Sequence, residues 1–246
     1  MSMTVVIMAK RAVAGRVKTR LIGDLSPLQA AGVHQAMLDC VLRRLGDHLV
    51  GAGGQGVIAI DEPVGSSSDV AGEEGEIAGD ANRSMGISEV LLEQPGRWRL
   101  VSQGSGDLGA RMLRVWREIG GGPAAFFGVD SPDAPVGALQ ELAKQAALSD
   151  VVFGPAVDGG YWTIAAMAPP SPVFQGIAWG GEEVLAQSLE AAERANLAAI
   201  CTTRWYDVDE YRDLQALRQR LASADVSAND TALATLRGQL DELCPV

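Results

Sequence analysis

The chain has 246 residues, of which 47% are hydrophobic and 21% are charged, and this composition is typical of a soluble globular protein. Its net charge of −11 has the wrong sign for a general nucleic-acid binder, because that affinity depends on neutralising phosphates with basic side chains. No apolar stretch approaches the ~20 residues that cross a bilayer, and the start lacks a signal-peptide pattern, so a cytoplasmic protein without a membrane span is predicted.

Short apolar runs alternate along the chain with patterns typical of helices. Strands are predicted at residues 5–9, 57–60, 100–101, 124–129, 151–153 and 198–202, with one more at 161–166 expected at an edge of the sheet. Helices are predicted from residue 27 to beyond residue 45 and at residues 108–119, 136–148, 182–195, 209–221 and 230–242, and residues 61–80 are interpreted as a surface excursion. The alternation predicts one α/β domain over residues 1–246, a Rossmann-like three-layer α/β/α arrangement with a mostly parallel sheet.

The unusual residues of the chain follow directly after predicted strands, at the carboxyl edge where sheets of this kind bind their ligands. The loop at residues 10–20 holds five of the chain's 20 basic residues and no acid. Glycine together with several cations suits a pyrophosphate, which backbone amides, lysine and arginine can surround, while a solvated basic turn is the alternative. We therefore predict a phosphate-binding loop, with contacts from Lys10, Gly15, Arg16, Lys18 and Arg20.

Acidic residues also follow predicted strands. Asp130 ends the strand at residues 124–129, and such a carboxylate suits Mg²⁺ or Mn²⁺, which share their ligand shell with substrate phosphates. Asp133 is either a further ligand or the N-cap of the next helix. Asp209, or Asp207 beside it, would close a metal shell with Asp130. Taken alone, however, Asp209 is better explained as the cap of the helix that follows it.

The segment at residues 154–162 combines an acid with glycines and aromatic rings. After Asp158, the pair Gly159 and Gly160 allows a tight turn and the close approach of a ligand to the backbone. Tyr161 and Trp162 beside an acid are a composition common in sugar-binding sites. A β-hairpin turn with both rings in the core explains the same residues equally well.

Residues 103–112 hold glycines whose spacing only loosely matches a GxGxxG loop. Asp107 and Arg111 are counted with the predicted nucleotide-binding residues, because Arg111 would reach a phosphate from this segment. The alternative is that Arg111 pairs with Asp107, four residues earlier on the same helix. His34 and His48 fall in the first long helix, and since neither is matched with a serine or cysteine nucleophile, a catalytic triad is not expected.

In this order, the five segments resemble the DUF2064 family of bacterial proteins, which are related to GT-A glycosyltransferases. The matching pieces are residues 15–21, 103–109, 128–133, 154–162 and 207–209. The resemblance implies the GT-A fold of nucleotide-diphospho-sugar transferases, with nucleotidylyltransferases as cousins. It also implies that Lys18 and Arg20 hold phosphates. Asp130 would act as a metal-binding acid of the DxD type, with Asp209 or Asp207 as a second ligand.

The leading hypothesis is sugar transfer from a nucleotide-diphospho-sugar, with Mg²⁺ or Mn²⁺ and the basic loop stabilising the diphosphate as it leaves. Lys18 and Asp158 are the predicted catalytic residues, and the substrate is expected against Gly159, Gly160, Tyr161, Trp162 and Trp179. Nucleotidyl transfer, in which a phosphorylated substrate attacks a nucleoside triphosphate and pyrophosphate leaves, is the runner-up. A nucleotide-binding module without catalysis is the third hypothesis. It is motivated by Gly180-Gly181, which stands where the family usually has Ser-Thr; Ala12 likewise replaces a usual proline.

Overall fold

The computed structural model describes residues 3–50, 56–61, 96–223 and 230–244. Their strands form a seven-stranded sheet: β1 (Thr4–Ala9), β2 (Gly56–Ile60), β3 (Trp98–Ser102), β4 (Ala124–Phe127), β5 (Val151–Pro155), β6 (Tyr161–Ala166) and β7 (Ala199–Cys201). The strand order is β3-β2-β1-β4-β6-β5-β7. Every neighbouring pair is parallel except the pairs of β6, which runs antiparallel to β4 and β5. The predicted α/β architecture with a mostly parallel sheet is confirmed.

Helices cover both faces of this sheet, as predicted. They are α1 (Pro27–Leu45), α2 (Leu108–Glu118), α3 (Val136–Ala146), α4 (Val184–Arg194), α5 (Tyr211–Ala222) and α6 (Thr231–Leu243). Side chains of a strand point alternately to its two faces. Ile7 of β1 therefore enters the hydrophobic cluster under α1, α3, α5 and α6, whereas Val6 enters the cluster under α2 and α4. Within the described ranges, no helix combines the length and apolarity that crossing a bilayer requires.

The first helix begins where the sequence predicts it. The Ser26 hydroxyl accepts a hydrogen bond from the backbone N–H of Gln29 at 3.3 Å, and the Gln29 side chain accepts one from the N–H of Ser26 at 2.9 Å. With Pro27 in the first turn, this capping box satisfies amides that have no partner within the helix. The α-helix ends at Leu45, so the placement of His48 in it is wrong: His48 lies in the π-helical turn Gly46–Val50 that follows directly.

The strand at residues 161–166 lies inside the sheet, between β4 and β5, so its predicted edge position is wrong. Its residues after Tyr161 are all buried, because neighbouring strands and helices surround it. The pairing that fixes this position joins Thr163 to Phe127, far away in sequence. The predicted strand at 124–129 ends at Phe127. Of the predicted surface excursion, residues 62–80 lie outside the described residues.

Several chain segments meet at one edge of the sheet. Because β1 pairs in parallel with β4, the residues that follow Ala9 lie beside those that follow Phe127. β6 runs in the opposite direction, so Tyr161 at its start comes to the same edge. The segment before α5 also reaches this edge, where the N–H of Val208 donates to the carbonyl of Asp130 at 2.9 Å.

Candidate functional site

A cavity of about 660 Å³ opens at this edge of the sheet. Most of the site residues predicted from the sequence line it: Lys10, Arg16, Lys18, Arg20, Asp107, Arg111, Asp130, Tyr161, Trp162, Trp179 and Asp209. Gly15, Asp158, Gly159 and Gly160 are not part of the lining. The fold thus brings cations from the loop after β1 and carboxylates from two distant segments to one concave surface.

The basic loop after β1 is anchored by its apolar residues. Ala12, Val17 and Leu21 are all buried, which leaves the side chains between them to face the cavity or solvent. Lys18 adopts a left-handed backbone conformation with φ of 46°, just before a short 3-10 turn. A residue with a Cβ adopts this conformation only when the surrounding structure imposes it, and such residues cluster at functional sites.

The side chain of Lys18 connects two acidic segments of the chain. Its ammonium donates hydrogen bonds to Oδ1 of Asp130 and to the carbonyl of Val208. It also lies 3.7 Å from Oδ1 of Asp209, whose other carboxylate oxygen is 3.4 Å from Nη1 of Arg20. The Lys18 side chain is only 5% exposed, whereas those of Asp130 and Asp209 are 49% and 36% exposed. The two acids therefore present open faces to the cavity while the lysine is enclosed.

Burial and neighbouring charges shift the pKa values of Asp130 and Asp209 in opposite directions. Burial raises the pKa of Asp130, but the charge and the hydrogen bond of Lys18 outweigh burial and hold it below its usual value. Burial raises the pKa of Asp209, and the neighbouring Asp130 and Asp158 raise it further against the charges of Lys18 and Arg20. Lys18 therefore favours the ionised form of Asp130, whereas burial disfavours that of Asp209.

Asp207 lies at the same edge of the sheet as Asp130, Asp158 and Asp209, and we call these four acids the acidic edge. Burial, Asp158 and then Asp209 raise the pKa of Asp207 to about 6. Oxygen atoms of Asp158, Asp207 and Asp209 can all lie within 4.8 Å of one another, a spacing that one metal ion can span. Carboxylate oxygens are the ligands that Mg²⁺ and Mn²⁺ prefer, and a bound cation would offset both the burial of these charges and their mutual repulsion. The residues present therefore fit a divalent cation.

Asp209 is available to this edge because other residues cap α5. The N-cap is Glu210, and Oδ2 of Asp213 accepts hydrogen bonds from the N–H groups of Glu210 at 2.8 Å and Asp209 at 3.2 Å. The alternative in which Asp209 itself caps the helix is therefore wrong. Asp209 therefore takes part in two arrangements. It lies near Lys18, which also contacts Asp130, and it forms a group with Asp158 and Asp207.

Asp133 serves neither of its two predicted roles. The helix α3 has Pro135 at its N-cap, without a side-chain cap. Asp133 instead accepts hydrogen bonds from Nε of Arg220 at 2.6 Å and from Nε1 of Trp205 at 3.1 Å. Its side chain is 4% exposed, so this buried ion pair ties the loop after β4 to α5.

The turn at Asp158 is shaped by the segment that follows Trp179. Oδ1 of Asp158 accepts a hydrogen bond from the N–H of Gly160 at 2.8 Å. Gly159 has a φ of 91° and lies directly against the backbone of Glu182, and its carbonyl accepts from the N–H of Leu185 at 2.9 Å. Both glycines therefore position Asp158 beside Asp209. Neither the glycines nor Asp158 line the cavity.

The aromatic residues of this region belong to the core and to the cavity wall at once. Trp162 is 5% exposed, and its Nε1 donates to the carbonyl of Thr203 at 3.2 Å. The Tyr161 ring meets Trp179 edge-on at 6.4 Å, and burial raises the pKa of Tyr161. Gly109 leaves the space in which Trp179 packs against the start of α2.

The start of α2 is held by local hydrogen bonds. Asp107 is its N-cap and accepts from the N–H of Ala110 at 2.8 Å, while Nε of Arg111 donates to the carbonyl of Gly106 at 2.8 Å. Sequence reasoning assigned no role to two further residues of this region, of which His34 lines the cavity and Gln103 does not. Gln103 ties β1 to β2 through bonds to the carbonyls of Ala9 and Ala59, and His34 lines the cavity with Nε2 3.0 Å from the carbonyl of Lys10. No sequence signal marks His34, which lies on the buried face of α1.

The family model described as an uncharacterized protein conserved in bacteria (DUF2064) matches residues 73–181. The predicted resemblance to this family is confirmed. A solved structure from Desulfovibrio desulfuricans G20, described provisionally as a nucleotide-diphospho-sugar transferase, is 26% identical with a TM-score of 0.73. The match covers 99% of this chain and 97% of that one. The GT-A-like fold of nucleotide-diphospho-sugar transferases is therefore also confirmed.

More distant structures share the fold. A cytidylyltransferase from Leptospira borgpetersenii is 10% identical with a TM-score of 0.53, and the match covers 99% of this chain and 97% of that one. A CMP:2-keto-3-deoxy-manno-octonic acid synthetase in complex with CTP is 12% identical with a TM-score of 0.51, covering 90% and 99% of the two chains. Comparison with curated proteins finds no match. At these identities the two likenesses show a shared fold.

Proposed function

We propose that this protein is a metal-dependent glycosyltransferase that uses a nucleotide-diphospho-sugar donor. The observation that carries the proposal is the joining of the basic loop to the acidic edge, where Lys18 contacts Asp130 and lies 3.7 Å from Asp209. Basic side chains and carboxylates that could bind a metal ion therefore face one cavity, at the edge where α/β sheets bind ligands. The likeness to the Desulfovibrio protein supports the choice of a nucleotide-diphospho-sugar.

The diphosphate of the donor would lie against the cations of the cavity wall. Lys10, Arg16 and Arg111 line that wall together with Lys18, and guanidinium groups can bind phosphate oxygens in a bidentate manner. Mg²⁺ or Mn²⁺ would be held by Asp209 together with Asp130. When bound, the ion supplies charge stabilisation for the leaving diphosphate. The protein's own part is to fix these oxygens and cations before the reaction begins.

The sugar would lie against the wall formed by Tyr161, Trp162 and Trp179, beside the turn of Gly159 and Gly160. Asp158 is exposed next to Asp209, which suits it to orient the sugar or to accept a proton from an acceptor hydroxyl. Asp158→Asn keeps the shape of this residue and removes its charge. We expect a large loss of turnover with folding unchanged, and near-normal turnover would refute this role.

Nucleotidyl transfer is the second candidate, and the charge of the cavity favours it. The lining contains Lys10, Arg16, Lys18, Arg20 and Arg111 against the acids Asp107, Asp130 and Asp209. This excess of cations suits a triphosphate, which carries more negative charge than a diphosphate ester. In this reaction a phosphorylated acceptor attacks the α-phosphate, and pyrophosphate leaves.

Calorimetry with nucleoside diphosphates, triphosphates and diphospho-sugars, first with Mn²⁺ and then with EDTA, tests the proposal. Metal-dependent binding of one diphospho-sugar supports glycosyl transfer, and preference for a triphosphate with pyrophosphate release supports nucleotidyl transfer. Binding without turnover of any donor supports a non-catalytic module. Lys18→Met should abolish binding, while Lys144→Met, an exposed lysine on α3, is the matched control. Absence of binding to every compound would overturn the proposal.

A further inference from the structure

The ammonium of Lys18 lies among oxygen atoms of the kind that hold hard divalent cations. Its hydrogen-bond acceptors are a carboxylate oxygen of Asp130 and the carbonyl oxygen of Val208, and Oδ1 of Asp209 is 3.7 Å away. Mg²⁺ and Mn²⁺ take the same donor types, namely carboxylate and carbonyl oxygens. A lysine side chain that is 5% exposed thus fills the space between the two predicted metal ligands.

The acidic edge offers a second position that does not involve this lysine. Asp158, Asp207 and Asp209 form a group of their own, and Lys18 contacts only Asp209 of the three. A divalent cation at this second position would leave Lys18 where it is. A cation between Asp130 and Asp209 would compete with the ammonium for the same oxygens, and the repulsion between two positive centres at this distance favours its displacement.

We propose that the ammonium of Lys18 occupies the position of a divalent cation in the substrate-free protein. It holds Asp130 and Asp209 together there, and a divalent cation displaces it. The inference deepens the proposed function. It rests on that function in one respect, namely that a divalent cation binds at these acids. Displacement sends Lys18 from the carboxylates toward the cavity that it lines with Lys10 and Arg16, where a phosphate would accept its hydrogen bonds.

The local structure of Lys18 suits such an exchange. Its left-handed backbone, with φ of 46°, directs the side chain into the acidic edge although a non-glycine residue disfavours this conformation. The four-carbon stem of lysine is flexible, so its ammonium can move without a rearrangement of the anchored loop. Val17 and Leu21, both buried, hold the backbone on either side while the ammonium changes partners.

The first test measures Mn²⁺ binding to the full chain by calorimetry, without any nucleotide. Lys18→Met keeps an unbranched side chain and removes the competing charge. Lys10→Met is the matched control, because Lys10 lines the same cavity and its charge acts on Asp130 only through space. We expect Lys18→Met to bind Mn²⁺ about tenfold more tightly than wild type, and Lys10→Met to gain no more than about threefold. A gain in Lys18→Met no larger than in Lys10→Met would overturn the proposal.

Second substitutions in the Lys18→Met protein identify the ligands of the ion. Asp130→Asn should remove the gain in Mn²⁺ affinity, because Asp130 is the acid that the ammonium occupies in wild type. Asp207→Asn should leave most of the gain in place, since the ammonium of Lys18 lies against Asp130 and Asp209. If Asp207→Asn removes the gain and Asp130→Asn does not, the ion binds at the second position and the proposal fails.

The second test uses the wild-type protein and covers the case in which Lys18→Met does not fold. The lysines of this chain are Lys10, Lys18 and Lys144, so acylation of each amine can be followed by peptide mass spectrometry. We expect Mg²⁺ alone to raise the acylation of Lys18, which is buried without it, and to leave that of exposed Lys144 unchanged. Lys18 acylation that stays constant at saturating Mg²⁺ would contradict displacement.

These measurements separate the inference from the proposed function. Metal-dependent donor turnover, together with a Mn²⁺ affinity that Lys18→Met does not raise, overturns the inference and leaves the proposed function intact. Displacement of Lys18 by Mn²⁺ without binding of any nucleotide overturns the proposed function and leaves the inference intact.

Discussion

The backbone of Gly159 lies so close to the carbonyl of Glu182 that a Cβ atom at Gly159 would overlap it. Gly159 also has a φ of 91°, in the left-handed region that favours glycine. The segment after Trp179 therefore fixes the turn that carries Asp158, and through it the position of that acid beside Asp209.

Gly159→Ala is expected to be strongly destabilising because it combines backbone strain with a steric clash. Gly180→Ala is the matched control, since Gly180 has a φ of 87° but no atom within 4 Å of a Cβ. Strain alone should cost about 1 kcal/mol in Gly180→Ala. The clash should cost about 1–3 kcal/mol more in Gly159→Ala. Urea denaturation measures both, and equal losses would show that the segment moves away freely.

Asp207→Asn should stabilise the protein in the absence of metal. Burial and the carboxylates of Asp158 and Asp209 raise the pKa of Asp207 from 3.8 to about 6. The folded state then favours the protonated form, so the wild type loses stability as the pH rises from 3.8 to about 6. Above that range the substitution should gain on the order of 0.5–1 kcal/mol, because water screens this half-exposed group.

Thermal melts in EDTA at pH 7.5 and pH 4 check this prediction for Asp207→Asn. The gain should be present at pH 7.5 and absent at pH 4. Mg²⁺ should stabilise the wild type at pH 7.5, because a cation that binds only the folded state shifts the equilibrium toward it. A lower melting temperature for Asp207→Asn in EDTA at pH 7.5 would contradict the prediction that the buried, crowded charge of Asp207 destabilises the folded state.

Arg220→Met should be among the most destabilising substitutions on α5. It would leave the carboxylate of Asp133, whose side chain is 4% exposed, without its charge partner, at a cost of about 3–5 kcal/mol. Arg218→Met on the same helix removes a pair with Asp241, which is 53% exposed, and should cost less than about 1 kcal/mol. Chemical denaturation measures the free energy of unfolding of both variants. Similar decreases would show that the buried pair stabilises the protein no more than the exposed one.

His34 should make the protein less stable in mild acid. Burial lowers the pKa of His34 from 6.5, against the hydrogen bond to the carbonyl of Lys10. The unfolded state therefore takes up a proton first as the pH falls below 6.5, and stability decreases from there down to the folded-state pKa. We expect His34→Gln to lose less stability than wild type between pH 7.5 and pH 5. His48→Gln, at an exposed position, is the control and should follow wild type.

The elements near the start of the chain follow from local sequence signals. Ser26, Pro27 and Gln29 form a capping box through neighbours in sequence, so the start of α1 is predictable without knowledge of the fold. The alternation of strands and helices likewise predicts the α/β class, because the apolar period reports which face of each element is buried. The predicted phosphate-binding loop at residues 10–20 can be identified from composition alone, since it concentrates basic residues in an acidic chain.

The central position of β6 and the role of Asp209 could not be predicted in this way. A strand buried on both faces has the same apolar pattern wherever it lies in the sheet, so only the pairing of Thr163 with Phe127 decides its place. Asp209 and Glu210 are both able to cap a helix, and the hydrogen bonds of Asp213 to the backbone decide that Glu210 does so.

By itself, the sequence determined the kinds of element, the composition of the basic loop and the acids that follow later strands. Only the tertiary structure decided which acid meets which cation, because Lys18 and Asp130 are separated by 112 positions in the chain. The parallel pairing of β1 with β4 brings them to the same edge, and the enclosure of Lys18 there follows from packing that involves residues near 208. Contacts between such distant residues depend on the whole fold, which no local pattern contains.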